Sequence, residues 1–380
     1  MTARFGFLST YPPTQCGLAT FTAALLGALV ASGAQEARVA RLLDVPQRRG
    51  GAEVVADIYA ADLSRSIGPI GRLNECDVVI VQHEFGVYGG RDGEDVLQLL
   101  AELTVPTIVV LHTVLTDPSR HQREVLESLV AAAGAVVTMS VTARERLAAS
   151  YRVDMSKVSI IAHGAPEAPD PSANLGAVFR TGQPTVLTWG LLGPGKGVEW
   201  GIQALALLDD VRPAPRYVIA GQTHPKVLER QGEAYREGLV DLTHRHGLAG
   251  SVVLDGRYRD TASLSTLVAS ADVVLLPYDS TDQVTSGVLI EAVAAGKPVV
   301  ATRFPHAVEL LSGGAGVVVA HRDPGAIAEA LRVVLTRPAV AAAMSRAATA
   351  AAPGLRWSAV AEQYRQLAAR LIAAADTVAA

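Results

Sequence analysis

The sequence predicts an α/β protein made of two domains, each with a parallel sheet covered by helices. Short β-branched runs alternate along the chain with longer Ala- and Leu-rich segments of helical period, which is the pattern of strands joined by crossover helices. The chain is also 380 residues long, roughly two to three times the usual size of one domain. We therefore expect two hydrophobic cores.

The composition narrows the class of protein. Apolar residues make up 49% and charged residues 18% of the chain, as in globular proteins. The 33 basic and 37 acidic side chains give a net charge of -4, so no overall attraction for nucleic acid or an anionic membrane is expected. Two cysteines, Cys16 and Cys76, suit a reducing compartment. The apolar residues 18–31 are fewer than the roughly 20 that a transmembrane helix needs. We expect a cytoplasmic protein.

The candidate strands fall into two sets of equal number. The first set is residues 4–8, 38–43, 77–82, 107–111, 135–139 and 158–162, and the second is residues 185–189, 216–220, 252–255, 272–276, 298–301 and 316–319. Between them, residues 164–184 are rich in Pro, Gly, Ser and Asn, which predicts a linker. We place an N-terminal domain at residues 1–170 and a C-terminal domain at residues 178–356.

The last segment predicts a helix that returns to the first domain. Residues 357–377 carry apolar side chains at helical spacing, among them Val360, Tyr364 and Leu367. Two doubly wound domains that face one another leave a cleft lined by the loops at the carboxyl ends of their strands, where such sheets bind ligands. We expect the functional residues in those loops.

A glycine-rich loop at residues 190–197, GLLGPGKG, follows one of these strands. Glycines let the backbone approach a phosphate closely, the next helix presents free N–H groups, and Lys196 adds a positive charge. The loop therefore predicts a phosphate site. A P-loop is not favoured, because Gly197 stands where Ser or Thr would hold magnesium. A glycine-rich turn with a solvated lysine is the structural alternative.

A second candidate site lies at residues 283–292, QVTSGVLIEA. Thr285 or Ser286 can cap a helix whose first turn donates N–H groups to an anion. Glu291 lies about two turns into this helix, where its carboxylate can accept hydrogen bonds from a ribose diol. The alternative is a solvated helix residue.

These motifs resemble those of the retaining glycosyltransferases of the GT-B fold in family 4, the glycosyl transferases of group 1. The matching segments are QCGLATF, VQHEFGVYGG, VVLHT, GLLGPGKGVE, IAGQTHP, PYDSTDQVTSG and EAVAAGKPVVATRFPHAVELL, and they span nearly the whole chain in order. The resemblance implies an α/β fold of two Rossmann-like domains facing across a cleft. It also implies an acceptor site in the N-terminal half, a nucleotide-sugar site in the C-terminal half and no required metal or other cofactor.

The resemblance further implies roles for single residues. Gly17 would approach the donor diphosphate, and His112 would contact the transferred sugar. Lys196 would neutralise the leaving diphosphate, and Glu291 would hold the ribose hydroxyls. The remaining donor contacts implied are the backbone of Ser286, Gly287 and Val288, with Thr285, Gly190 and Gly195 beside them.

Two positions depart from the family's usual pattern. Gln283 stands where an acid is usual, and an amide can bind a sugar hydroxyl but cannot stabilise a positive charge that develops on the sugar. Leu191 stands where an arginine is common, so one cationic partner of the phosphates is missing. We expect Arg257 or Arg303 to replace it.

Other histidines have structural alternatives. His83 and Glu84 follow a strand, where they contact acceptor or donor or else form a hydrogen-bonded structural pair. His224 is a candidate contact of the base or phosphate pocket, and His306 a candidate helix cap. No metal-site spacing is present, and the segment DSTD at residues 279–282 is not the Asp-x-Asp of metal-dependent GT-A enzymes.

The function predicted is transfer of a hexose from a nucleotide diphosphate sugar to an acceptor hydroxyl with retention. GDP-mannose is favoured over UDP-glucose as donor, and the acceptor is a carbohydrate, a lipid or a small molecule. No nucleic-acid partner is expected, while peripheral membrane contact and the oligomeric state stay open. The alternatives are a GT-B protein that only binds a nucleotide sugar, a sugar-nucleotide epimerase and a phosphorylase.

Overall fold

The computed structural model describes residues 2–47, 50–60, 62, 66–167 and 182–379. The chain forms two compact units, Met1–Gly164 with Trp357–Ala380, and Ala165–Arg356. The domain limits predicted at residues 170 and 178 lie outside the described residues. No helix in the described ranges is both long and apolar enough to cross a bilayer.

The first unit contains a seven-stranded parallel sheet of order β3-β2-β1-β4-β5-β6-β7. Its strands are β1 Arg4–Ser9, β2 Glu36–Leu43, β3 Val54–Tyr59, β4 Val78–His83, β5 Thr107–Leu111, β6 Ala135–Thr138 and β7 Val158–Ile160. Its helices are α1 Gly17–Ala31, α2 Ile67–Ile70, α3 Val96–Ala101, α4 Arg120–Ala132 and α5 Val141–Ser150.

The strand that the sequence did not predict is β3, at the edge of this sheet. Its side chains alternate between buried and half-buried, and Asp57 interrupts the apolar run. The acid has a partner, because Arg41 of the neighbouring strand β2 is fully buried and its Nε donates to Asp57 Oδ1 at 2.9 Å. A buried guanidinium needs such a carboxylate. Asp57 weakens the strand pattern in the sequence, but in the fold it joins β3 to β2 through Arg41.

The second unit contains a six-stranded sheet of order β10-β9-β8-β11-β12-β13, also parallel. Its strands are β8 Thr185–Trp189, β9 Arg216–Ala220, β10 Val252–Asp255, β11 Val273–Leu276, β12 Val299–Thr302 and β13 Gly316–Val319. Its helices are α6 Val198–Ala206, α7 Pro225–Gln231, α8 Ala234–Arg245, α9 Thr261–Ala269, α10 Gly287–Ala294, α11 Pro305–Leu311, α12 Pro324–Thr336 and α13 Pro338–Leu355.

Both sheets confirm the predicted doubly wound α/β class. In each, the order of strands reverses beside its first strand, between β1 and β4 and between β8 and β11. Ligands of such sheets bind outside the carboxyl ends of the strands at this reversal. The loops after β8 and β11 contain residues 190–197 and 277–286, so the predicted phosphate motifs stand at the switch point of the second sheet.

The last helix, α14 Trp357–Ala379, belongs to the first unit. It packs against α1, and its residues Trp357, Val360 and Tyr364 join the core beside Phe5 and Phe21. Tyr364 is fully buried, and within the described part of the chain its hydroxyl has no hydrogen-bond partner.

This hydroxyl gives a test of the packing. Tyr364→Phe is expected to raise the free energy of unfolding by about 1 kcal/mol, because a buried hydroxyl without a partner disfavours the folded state. The matched variant is Tyr217→Phe in the second unit, where an equally buried hydroxyl lies 2.8 Å from Thr188 Oγ1. Tyr217→Phe should lower the free energy of unfolding by about 1 kcal/mol, because it removes this hydrogen bond. Urea unfolding followed by tryptophan fluorescence measures both, and a loss of stability in Tyr364→Phe would contradict the expectation.

Candidate functional site

The glycine-rich loop after β8 lies directly against the loop after β11. Gly197 has a left-handed backbone, with φ of 63°, and a Cβ at this position would collide with the carbonyl oxygen of Pro277. The main chains also pair, since Asp279 N donates to Gly195 O at 2.9 Å. Gly197 is therefore required by the close approach of the two loops, and it begins helix α6 without a side-chain cap.

These two loops line a cavity of about 380 Å³ in the second unit. The lining residues are Pro194, Gly195, Lys196, Tyr278, Asp279, Ser280 and Gln283. Two predicted site residues, Lys196 and Gln283, thus share one cavity although they are distant in sequence. The Gln283 side chain donates from Nε2 to the carbonyl of Thr285 at 3.0 Å, which leaves its amide oxygen as the group available to a ligand.

Lys196 is the cation of this cavity. Its Nζ lies 4.6 Å from the centre of the Tyr278 ring, and burial lowers its pKa from the usual value. Across the described ranges, no carboxylate lies within ion-pair distance of it. A partly desolvated ammonium that is balanced by an aromatic face and not by a carboxylate favours an anionic ligand.

Helix α10 brings an N-terminus to the end of the β11 loop. Of the two predicted caps, Ser286 is the one used, and its hydroxyl accepts from Leu289 N at 3.2 Å. The Ser286 N–H donates to His306 Nδ1 at 2.8 Å. His306 was a candidate helix cap, but the N-cap position of α11 is Phe304, which makes no side-chain capping bond, and His306 instead accepts from the turn that precedes α10.

Glu291 lies farther along α10, beside the end of β8. The Trp189 indole donates to Glu291 Oε2 at 3.2 Å. Burial raises the pKa of Glu291 to about 7, and the indole hydrogen bond opposes this shift. On the same helix, Val288 approaches Gly190, with Cγ2 3.8 Å from where a Cβ would stand. The structure therefore brings together the predicted contacts Gly190, Val288 and Glu291.

The predicted donor contacts Arg257 and His224 lie on neighbouring loops. Arg257 is 71% exposed in its side chain and is held by Asp255, from Nε at 2.9 Å and from the NH2 group at 2.8 Å. This arginine lowers the pKa of Asp255 well below the usual range. His224 caps α7, and its backbone N donates to Leu192 O of the glycine-rich loop at 2.8 Å. Arg257 and His224 are not among the residues that line the cavity.

In the first unit, His112 follows β5 as predicted and is held as a neutral imidazole. Its Nε2 lies 2.6 Å from Gln82 Oε1, so Nε2 carries the proton that the amide oxygen accepts. Burial, with smaller effects of His163 and His83, lowers the pKa of His112 to about 3. The Phe21 ring packs against it in a T-shaped contact, with ring centroids 5.0 Å apart. Nδ1 is then a hydrogen-bond acceptor at neutral pH.

Gly17 is the first residue of α1, after the cap Cys16, whose sulfur accepts from Ala19 N at 3.4 Å. A Cβ at Gly17 would have nothing within 4 Å. The chain itself therefore does not require glycine here, so the close approach predicted for Gly17 depends on a bound ligand.

His83 and Glu84 do not form the hydrogen-bonded structural pair that was one of the two alternatives for them. His83 is fully buried against Phe85, and neither ring nitrogen has a hydrogen-bond partner in the described residues. Burial lowers its pKa to about 4. It does not pair with Glu84, which accepts from the Thr113 hydroxyl. Contact of His83 or Glu84 with acceptor or donor stays a prediction.

A residue that the sequence analysis missed, His121, anchors the glycine-rich segment after β4. It lies at the start of α4, with Nδ1 2.9 Å from Asp92 Oδ2 and Nε2 3.2 Å from Glu94 Oε2. Asp92 has a left-handed backbone, with φ of 52°, and its carboxylate raises the pKa of His121. The segment HQRE around His121 reads as a solvated helix start, so only the fold shows this contact.

Comparison with known proteins now identifies the class. Residues 183–337 match the family model described as glycosyl transferases group 1. A glycogen synthase of Mycobacterium tuberculosis H37Rv is 28% identical over 256 residues, covering 64% of this chain and 58% of that protein. A D-inositol 3-phosphate glycosyltransferase of Streptomyces avermitilis is 30% identical over 263 residues, covering 62% of this chain and 52% of that protein. The chain thus matches little more than half the length of these relatives.

Solved structures superpose on nearly the whole chain. The sucrose-phosphate synthase of Thermosynechococcus elongatus superposes with a TM-score of 0.75 at 19% identity, covering 98% of this chain and 100% of that one. Anabaena HepE, solved with UDP-glucose, gives a TM-score of 0.73 at 17% identity and covers 96% of this chain and 98% of that one. Residues 183–337 are thus similar to the glycosyl transferases of group 1, and the chain has the α/β fold of two Rossmann-like domains seen in these solved structures.

The raised pKa of Glu291 predicts a pH effect on stability. The Glu291 carboxyl holds its proton more tightly in the folded state than in the unfolded state. The free energy of unfolding therefore falls as pH rises from the unfolded pKa, about 4.3, to the folded pKa, about 7. Glu291→Gln removes this ionisation. The free energy of unfolding of the variant minus that of the wild type should therefore increase as pH rises across this window. Urea unfolding at a series of pH values measures the difference. Glu229→Gln, at an exposed position, is the control, and parallel curves for Glu291→Gln and wild type would refute the effect.

His121 predicts a pH dependence of the same sign, at higher pH, for the segment that it holds. A histidine whose pKa is raised by carboxylates stabilises below its unfolded pKa, and this contribution is lost as pH rises through the folded pKa. Hydrogen exchange in residues 84–95, corrected for intrinsic rates, should therefore be slower at about pH 6 than at about pH 8. His121→Gln should abolish that difference. An unchanged difference in the variant would show that His121 does not anchor the segment.

Proposed function

We propose that the protein transfers a hexose from a nucleotide diphosphate sugar to an acceptor hydroxyl, with retention at the anomeric carbon. The observation that carries this proposal is the cavity at the switch point of the second sheet, where Lys196 faces the Tyr278 ring and, among the described residues, has no carboxylate within ion-pair distance. A diphosphate supplies the missing negative charge. The family match over residues 183–337 includes this cavity, and HepE has been solved with UDP and glucose and with UDP-glucose.

The leaving group is the centre of the proposed mechanism. As the bond from the anomeric carbon to the diphosphate breaks, the leaving oxygen gains negative charge and the sugar gains positive charge. Lys196 and the N–H groups of Gly287 and Val288 at the start of α10 would stabilise the leaving group, while the Ser286 N–H is already donated to His306. Glu291 would bind the ribose diol. The departing phosphate would take the proton of the acceptor hydroxyl.

The sugar would be positioned by uncharged polar groups. His112 is neutral and its Nε2 proton is engaged by Gln82, so Nδ1 would accept from a sugar hydroxyl. Gln283 would accept through its amide oxygen. We propose that no metal ion is required, because the ammonium of Lys196 and the helix N-terminus supply the compensating positive charge. Activity that survives EDTA would support this point.

GDP-mannose is the donor proposed first and UDP-glucose the alternative, and both should be assayed with carbohydrate, inositol phosphate and lipid-linked acceptors. Release of GDP or UDP that depends on an acceptor, with an anomeric configuration preserved by NMR, supports the proposal. Conversion of the donor without acceptor would indicate an epimerase, and a requirement for inorganic phosphate a phosphorylase. Binding without turnover would favour a nucleotide-sugar-binding protein, the second candidate that Gln283 suggests.

Lys196→Ala should lower kcat on the order of a hundredfold, as expected for the loss of one preorganised charge at the leaving group. The control is Lys157→Ala, in the first unit, where Nζ donates to the carbonyls of Ala131 and Ala133. Its kcat should match that of the wild type. Steady-state nucleotide release measures both variants, and full activity of Lys196→Ala would exclude the proposed role.

A further inference from the structure

A helix and two loops of the second unit meet at one carboxylate, Asp279. The Trp200 indole of α6 donates to Asp279 Oδ1 at 2.9 Å. Arg322, from the turn after β13, approaches the same oxygen with its Nε at 3.3 Å. Asp279 itself belongs to the loop after β11 and lines the cavity with Lys196. An arginine that the sequence analysis did not consider is thereby placed at the wall of this cavity.

The turn that carries Arg322 is fixed beside the cavity. The neighbouring His321 donates from Nδ1 to the carbonyl of Tyr278 at 2.8 Å, and the Thr302 hydroxyl donates to the same carbonyl at 2.6 Å. Tyr278 is the residue whose ring faces Lys196. The base of the Arg322 side chain therefore has a set position relative to Lys196.

The Arg322 guanidinium keeps most of its donors available. It presents five N–H groups, the contact with Asp279 uses the Nε side, and 66% of the side chain is exposed. Its backbone is left-handed, with φ of 56°, a conformation that is uncommon for any residue other than glycine and is concentrated at functional sites. Arg322 and Asp92 are the non-glycine residues with positive φ in the described part of the chain.

The charge of the cavity is incomplete for a diphosphate. Lys196 contributes one positive charge, while Asp279 places a negative charge on the same wall. The position predicted for a phosphate-binding arginine holds Leu191, and Arg257 is bound on two sides by Asp255. Arg322, by contrast, forms its ion pair with Asp279, a residue of the cavity wall.

We propose that Arg322 is a second phosphate-binding residue of this cavity, which shifts from Asp279 to the phosphate of a nucleoside diphosphate that Lys196 also binds. A planar guanidinium can bind two phosphate oxygens at once, which an ammonium cannot. The proposal rests on the proposed function for the class of ligand. It gives Asp279 a role as well, because the carboxylate holds Arg322 ready at the cavity before the anion arrives.

The test measures dissociation constants of UDP, GDP and inorganic pyrophosphate by calorimetry at low salt. Arg322→Gln should weaken binding of each about tenfold, the size expected for one charge-assisted hydrogen-bonding group. Arg322→Gly should show the same loss, although glycine adopts the left-handed backbone conformation without strain. The matched control is Arg332→Gln on α12, where an arginine also pairs with an aspartate, Asp210, at 3.0 Å. Its dissociation constants should stay at the wild-type values.

A second arm separates phosphate binding from mere neutralisation of Asp279. In an Asp279→Asn background Arg322 has no carboxylate to leave, so Arg322→Gln should weaken pyrophosphate binding at least as strongly as in the wild type. If Arg322 only neutralises Asp279, the substitution has no effect in that background and the proposal is overturned. Wild-type protein that binds neither UDP nor GDP would remove the proposed function too. Wild-type binding that Arg322→Gln leaves intact would overturn the inference alone.

Discussion

The close approach of two loop backbones in the second unit is the constraint on which the candidate site depends. Gly197 lies against the carbonyl oxygen of Pro277, and Asp279 N donates to Gly195 O at 2.9 Å. Any side chain at residue 197 would push the loops after β8 and β11 apart. Lys196 would then no longer face Tyr278, and Gln283 would no longer share its cavity. The position of the ammonium is thus set by main-chain packing, which is more rigid than the lysine side chain itself.

The histidines around Phe21 and Phe85 in the first unit are arranged in the opposite way, without charge. His112, His83 and His163 are all neutral because burial lowers the pKa of each imidazole to between about 3 and about 4. Phe21 packs its ring against His112, His163 and Trp357. An apolar cage keeps an imidazole neutral and oriented, which suits recognition of hydroxyl groups better than recognition of anions. The cationic and the uncharged parts of the candidate chemistry therefore lie in different units.

The sequence predicted most of the fold because buried parallel strands are continuous apolar runs. Strands β8 and β9, for example, begin and end where the pattern placed them. Strand β3 was missed because Asp57 belongs to a pair with Arg41, and a pair between strands leaves no local signal. The candidate site divides in the same manner. Lys196, Ser286 and Glu291 stand in motifs that are contiguous in sequence, whereas His121 and Arg322 act through contacts that only the fold creates.

Arg322 shows why such residues escape sequence analysis. The phosphate motif in the loop after β8 contains Leu191 in place of an arginine. From the sequence, replacements are expected on the loops that carry other motif residues, as with Arg257 and Arg303. The sheet order, however, places β13 at the far edge beyond β12, and its following turn is brought back to the cavity by the hydrogen bond of His321 to Tyr278. A charge can therefore be supplied by a strand that is neither adjacent in sequence nor adjacent in the sheet, provided that a buried carbonyl fixes the turn.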